Sequence, residues 1–252
     1  MDHDKVIYDE RIPKIKQQKK RKSNFRLIVL IIIFFVVLAG VLYLQSPFSK
    51  LAEVNWQGLY IADEERLMQQ AELKIGMSYF NFTAAGVESK LEQMDEIAEV
   101  NVRRDLPNRL TIQVQEHPLV AFWLEEQALY PVLATGEILF AEPWDRNRVD
   151  QPILSGWPHK EGLIELSKEL KRLPQSVSKQ ISEIRLTPVV SDPYRLTLYM
   201  NDGYEVRTSI RRFAENMSWY PQIVTEAREE GKEEGIFYLL YGKWLEDPKK
   251  ND

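Results

Sequence analysis

The sequence predicts an α+β protein: a single transmembrane helix, then a β-α-α-β-β module, then a mixed, β-rich domain. Three observations carry this. Residues 27–44, LIVLIIIFFVVLAGVLYL, contain no charge and only the Tyr43 hydroxyl as a polar group. Residues 49–117 hold one strand pattern, two helical stripes and an alternating hairpin. From residue 118 to residue 246 short strand patterns dominate, with a few helical stripes between them.

The apolar run comes first. As a helix its 18 residues span about 27 Å, close to the ~30 Å hydrocarbon thickness of a bilayer. It has no polar face, which argues against a helix lying on the membrane surface. Residues 1–26 form a long head, the apolar run exceeds a signal-peptide core, and no A-x-A site follows, so the segment is expected to stay as an anchor. Eight Lys/Arg and no acid lie between Arg11 and Arg26, whereas one cation, Lys50, closes the QSPFSK stretch after Leu44. The positive-inside rule then puts the N-terminus in the cytoplasm and residues from about 45 onward outside.

Charge follows the same division. Nine of the 33 Lys/Arg and four of the 38 Asp/Glu fall in residues 1–26, leaving the remainder at a net of −10. The basic arm has the job of setting topology and meeting anionic lipid; it requires no nucleic acid. There is no cysteine, so the outer portion must rest on packed cores rather than disulfides. The expected organisation is a cytoplasmic tail 1–26, the span 27–44, a first module 49–117, a second domain 118–246 and a polar tail 247–252.

In the first module, KLAEVNWQG (Lys50–Gly58) alternates as a strand. Asp63 is a good N-cap, with Glu64 and Glu65 placed to favour the helix dipole. That helix covers about 63–72 and faces inward with Leu67 and Ala71. Thr83 caps a second helix with Ala84, Val87, Leu91 and Met94 in line. Val100 and Val102, then Leu110, Ile112 and Val114, alternate with polar residues around Asp105-Leu106-Pro107-Asn108, which is turn chemistry.

The residues Val102, Arg104, Leu106, Pro107, Asn108, Leu110, Ile112, Val114, Glu116 and Pro118 spell V-x-R-x-x-P-N-x-L-x-I-x-V-x-E-x-P. Directly outside one membrane anchor, this module resembles a POTRA domain, and the layout is similar to the FtsQ/DivIB family of bacterial division proteins, of the Gram-positive DivIB type. The head ERIPKIKQQKKRK and the exit LQSPFSKL fit that likeness. The resemblance implies a second, β domain over residues 118–246.

That portion reads as strands at Leu119–Leu124, at Ala128–Leu139 with a break at Pro131 and a turn at Thr135-Gly136, and at 151–156, Ile181–Thr187, Tyr194–Met200 and Tyr204–Ile210. Asn201-Asp202-Gly203 marks a tight hairpin. A helix over about 161–173 carries Leu163, Leu166, Leu170 and Leu173 on one side, and another starts at about Arg211. IFYLLYGKW, residues 236–244, reads as a last strand.

Catalytic signatures are scarce. Of three histidines, His3, His117 and His159, only two lie beyond the anchor, and no H-E-x-x-H occurs. No metal or cofactor is therefore expected. Ser176-Val177-Ser178-Lys179 is an S-x-x-K, but the S-D-N and K-T-G elements that accompany that chemistry are missing. Glu116–His117 could be read as an acid and a base; a strand end followed by proline makes a structural role the expectation.

A binding function remains. The aromatic final strand, with Phe237, Tyr238, Leu240, Tyr241 and Trp244, is expected to be an edge strand offered to a partner. The resemblance implies the partners: the small bitopic division proteins FtsL and DivIC (FtsB in other bacteria), and a link to septal peptidoglycan synthesis. The expectation is a non-enzymatic scaffold at the division septum of the cytoplasmic membrane. Its alternatives are a membrane-anchored cell-wall enzyme with an unrecognised carboxylate site and a POTRA-bearing export component.

Overall fold

The computed structural model describes residues 16–240 and 243–246. Helix α1 (Lys16–Gln45) holds the apolar run. Its stretch Phe25–Gln45 has a mean hydropathy of 3.3 and buries nothing against the rest of the chain. Among the described residues it is the one helix long and apolar enough to cross a membrane. At 21 residues it is about 32 Å long, sufficient for a bilayer core.

The first module follows at once. Its strands are β1 (Glu53–Gln57), β2 (Ile97–Asp105) and β3 (Arg109–Glu116), and its helices α2 (Glu64–Gln70) and α3 (Ala84–Leu91). The sheet order is β1-β3-β2, with β1 parallel and β2 antiparallel to β3. Both predicted caps are in place. The Asp63 carboxylate accepts from the Glu65 and Arg66 amides at 2.9 and 3.2 Å, and the Thr83 hydroxyl accepts from Gly86 at 3.1 Å. The core is Leu67, Ala71, Val87 and Leu91 from the helices against Val100, Val102, Leu110, Ile112 and Val114 from the hairpin. Period-2 and period-3.6 stripes meet there, as one-sided packing of a sheet on two helices requires.

Eight strands form the second sheet: β4 (Leu119–Glu125), β5 (Ala128–Leu133), β6 (Ile153–Ser155), β7 (Ile181–Leu186), β8 (Arg195–Met200), β9 (Glu205–Ser209), β10 (Ile236–Leu239) and β11 (Lys243–Glu246). Their order is β11-β10-β9-β8-β7-β6-β4-β5. Helices α4 (Leu163–Arg172), α5 (Gln175–Ser178), α6 (Phe213–Met217) and α7 (Tyr220–Glu229) complete the domain. Leu163, Leu166 and Leu170 of α4 share one core with Phe213, Met217, Tyr220 and Val224 from α6 and α7 and with Leu196, Leu198, Val206 and Phe237 of the sheet.

Two expectations change. Pro131 does not break β5, which runs through it to Leu133 before the expected turn at Gly136, φ of 89°, from which Ile138 returns to bridge Val132. The single helix expected from Arg211 is two, α6 and α7, because Pro221 stands in the first turn of α7, where a missing N–H is harmless but would break a continuous helix.

Tyr220 joins the core to an acid. Its hydroxyl donates to Asp202 Oδ1 at 2.7 Å, and burial, followed by the Asp202 carboxylate, pushes the phenol above its ordinary 10.0. The unfolded chain loses this proton near pH 10 while the folded chain keeps it. Stability from this site is thus complete below about pH 10 and falls as the pH rises further, by about 1.4 kcal/mol per unit. Denaturant unfolding of wild type and Tyr220→Phe at several pH values above 10 checks this. The variant should show a shallower loss, by one proton; identical slopes would reject the assignment.

The candidate binding edge and the domain junction

Glu116 ends β3 beside the loop that follows β1. Its Oε1 accepts from the backbone amides of Tyr60 and Ala62 at 3.1 and 2.9 Å, and its Oε2 from Ile61 at 2.8 Å. Three backbone donors on one carboxylate make an anchoring role, tying the end of β3 to the loop after β1. The next residues continue the tie. The His117 amide donates to Glu96 O at 2.8 Å, and Pro118 O accepts from Ala134 of the second domain at 2.8 Å.

The loop held by Glu116 reaches across to the second domain. The Tyr60 hydroxyl donates to Asp150 Oδ2 at 3.2 Å, Arg148 Nη2 donates to Tyr60 O at 3.4 Å, and the Tyr60 ring lies 6.1 Å from Trp144. Trp144 in turn packs on Phe122 of β4, ring centroids 5.6 Å apart. Partial burial and the Asp150 carboxylate raise the Tyr60 phenol above its ordinary value. Gly58 makes the loop possible: its φ is 88°, and a Cβ there would run into the Val114 carbonyl.

Other sequence candidates for chemistry come apart. Ser176 and Ser178 lie in the four-residue α5, and the Ser178 hydroxyl donates to Gln151 Oε1 at 3.1 Å. No group of three or more His, Cys, Asp or Glu side chains converges on a metal-sized space among the described residues.

The C-terminal strand differs from its expectation. Residues 236–244 are not one edge strand. β10 pairs in parallel with β9 on one side and antiparallel with β11 on the other. β11 is therefore the edge, with no strand beyond it among the described residues. Phe237 does not face a partner: it is 1% exposed, 4.9 Å from Tyr204 and 6.0 Å from Tyr220 by ring centroids. The alternation along β10 sends Phe237 and Leu239 to the core and Tyr238 to the other face. Leu240 is half-buried just past β10, Trp244 occupies β11, and Tyr241 lies outside the described residues.

Register builds something no local pattern announced. Ser155, Arg185, Thr197, Arg207, Tyr238 and Trp244 are successive partners across β6, β7, β8, β9, β10 and β11. Residues directly paired across strands share a face, so Ser155, Arg185, Thr197, Arg207 and Tyr238 line the face opposite the helices, and β11 follows at the edge. Arg207 donates to Tyr238 Oη at 2.9 Å and to Glu205 at 2.8 Å. Arg185 donates to Glu183 at 2.7 Å and its guanidinium lies 5.2 Å from the Tyr199 ring centre. The guanidiniums are thus held flat by carboxylates and rings rather than waving in solvent.

An apolar helix, a small β-α-α-β-β module and a domain on an eight-stranded sheet define a class: a POTRA domain and a β domain behind an apolar helix of membrane-spanning length. The family description "POTRA domain, FtsQ-type" matches residues 49–117, and "Cell division protein FtsQ/DivIB, C-terminal" matches residues 121–238. The chain belongs to the FtsQ/DivIB family of cell division proteins. It is 34% identical to the cell division protein DivIB of Brevibacillus brevis over 242 residues, covering 95% of this chain and 91% of that one. With DivIB of Bacillus subtilis the identity is 33% over 255 residues, covering 100% and 95%. The solved major extracytoplasmic domain, trans isomer, of DivIB from Geobacillus stearothermophilus is 34% identical with a TM-score of 0.41, covering 46% of this chain and 97% of its own. These relatives are named for division and not for a reaction.

Proposed function

We propose that this chain is a division-site scaffold, held in the cytoplasmic membrane with its N-terminus inside and both domains outside. It binds small bitopic proteins of the FtsL and DivIC type at the septum and catalyses no reaction. The observation that supports this best is the row of arginine and aromatic residues ending at the open β11 edge. With no strand beyond β11 among the described residues, its outer edge suits an added strand, and Arg207 and Tyr238 on the neighbouring strands suit that strand's side chains. By binding an otherwise labile FtsL–DivIC pair, the scaffold stabilises it through mass action and so bears on septal peptidoglycan synthesis.

The test places a photo-crosslinking residue at position 238, 244 or 164 of the full-length chain in membranes. Ile164 is 57% exposed on α4, the helix-covered side of the domain. Crosslinks from 238 and 244 to small single-span coiled-coil proteins, with none from 164, are the expected outcome. Equal capture from all three positions would move the interface away from β11, and no division protein captured from any position would end the scaffold reading.

A further inference from the structure

We propose that the POTRA module rests on the outer surface of the lipid bilayer through an apolar tip made by Phe48, Phe80 and Leu106. The inference depends on the reading of α1 as a membrane anchor, and extends it to the module that follows.

The connection between α1 and the module is short and tied. The Ser49 hydroxyl donates to Leu44 O at 2.7 Å and to Ser46 O at 2.9 Å, and the Ser49 amide donates to Ser46 O at 3.1 Å. Whatever follows Ser49 therefore starts at the level where α1 ends. Lys50 bridges Ser78 in antiparallel fashion, with the Tyr79 amide donating to Ser49 O at 2.8 Å. Phe80 follows directly after Tyr79 in this tied segment. The Phe80 ring also meets Tyr43 of α1 edge-on, 6.4 Å between centroids.

The β2–β3 turn comes to the same place. Asn108 Nδ2 donates to Pro47 O at 3.5 Å, and Asn108 O accepts from the Ala52 amide at 2.9 Å. Leu106, two residues earlier, projects from that turn. Phe48, Phe80 and Leu106 are 60%, 55% and 83% exposed. They come from three separate segments, each tied to the stretch that follows α1, and no residue of the apolar span of α1 is buried.

Apolar side chains gathered at one surface call for a cover. Here the cover is specified by continuity, because the same patch runs directly onto α1, whose surroundings are lipid. Aromatic residues at this level are the kind that settle among headgroups, and the exposed Lys50 beside them suits anionic phosphates.

The chain has no cysteine, so single cysteines can be introduced and labelled without background. Full-length chain carrying Phe80→Cys, Leu106→Cys, Gln57→Cys or Val36→Cys is labelled with an environment-sensitive fluorophore. Each is reconstituted alone in phosphatidylglycerol–phosphatidylethanolamine vesicles with spin-labelled lipids. Gln57 closes β1 at the end away from the tip, and Val36 sits within α1. Shallow spin labels are expected to quench positions 80 and 106 at least twofold more than position 57, and deep labels to quench position 36.

Quenching at 36 with positions 80, 106 and 57 alike would overturn the tip while leaving the anchor. No quenching at 36 would overturn both. Blue-shifted emission at 80 and 106 that lipid quenchers do not touch would assign the tip to a second copy of the chain, and would also overturn the proposal.

Discussion

Replacing Phe237 with alanine is expected to destabilise the β domain by about 3–5 kcal/mol, the range for deleting a fully buried aromatic side chain. Phe237 lies at the centre of a three-ring cluster with Tyr204 and Tyr220 and is 1% exposed. The surrounding atoms come from a sheet on one side and α7 on the other, and neither can collapse far into the void. Urea unfolding of the full-length protein, followed by tryptophan fluorescence, reads the effect. A Tyr238→Ser variant is the informative companion. Its side chain is on the opposite face, so it is expected to keep most of the stability while weakening partner crosslinking. If Phe237→Ala left the midpoint of unfolding unchanged, the packing of β10 on α7 would be wrong.

Glu116→Leu is expected to cost about 3–4 kcal/mol in the POTRA module. Hydrogen bonds to a charged acceptor contribute roughly 1.5–3 kcal/mol each, and a buried donor left without a partner costs about 1–3 kcal/mol. Ile61 and Ala62 are half-buried and lose their acceptor, whereas the Tyr60 amide can recover water. Glu116→Gln keeps one carbonyl oxygen and is expected to lose about half as much. Hydrogen exchange on the intact protein should show faster exchange at amides 60–62 and along β3, most in the leucine variant. Unchanged exchange at those amides in both variants would deny the anchoring role.

Much of the first module was legible because its signals are local. Asp63 and Thr83 announce helix starts through their own side chains, and alternation from Val100 to Val114 needs only two neighbouring strands. Glu116 was read as structural from its place at a strand end, although the three amides it accepts lie 54–56 residues earlier and no spacing could have named them. The C-terminal hairpin was misread for a different reason. IFYLLYGKW is apolar and aromatic nearly throughout, so its pattern reads as one strand where the chain forms two, β10 and β11. The row from Ser155 to Trp244 is invisible to any window, because it is assembled by strand register across about 90 residues of sequence. The short helix α5 has too few residues to show a period.

Strand order also fixes a sequence of events. β10 and β11 are translated after every other strand of the eight-stranded sheet, with α6 and α7 in between. Synthesis proceeds at about 5–20 residues per second, so residues 118–246 need on the order of ten seconds to emerge. Until Phe237 emerges, the space beside Tyr204 and Tyr220 lacks it, and β9 has an open side. One residue closes the core and, in the same step, brings up the strand on which the final edge is laid. A chain released before it would present β9 in place of β11, with the wrong neighbours alongside. Closure of the core and completion of the sheet at β11 are thereby the same event.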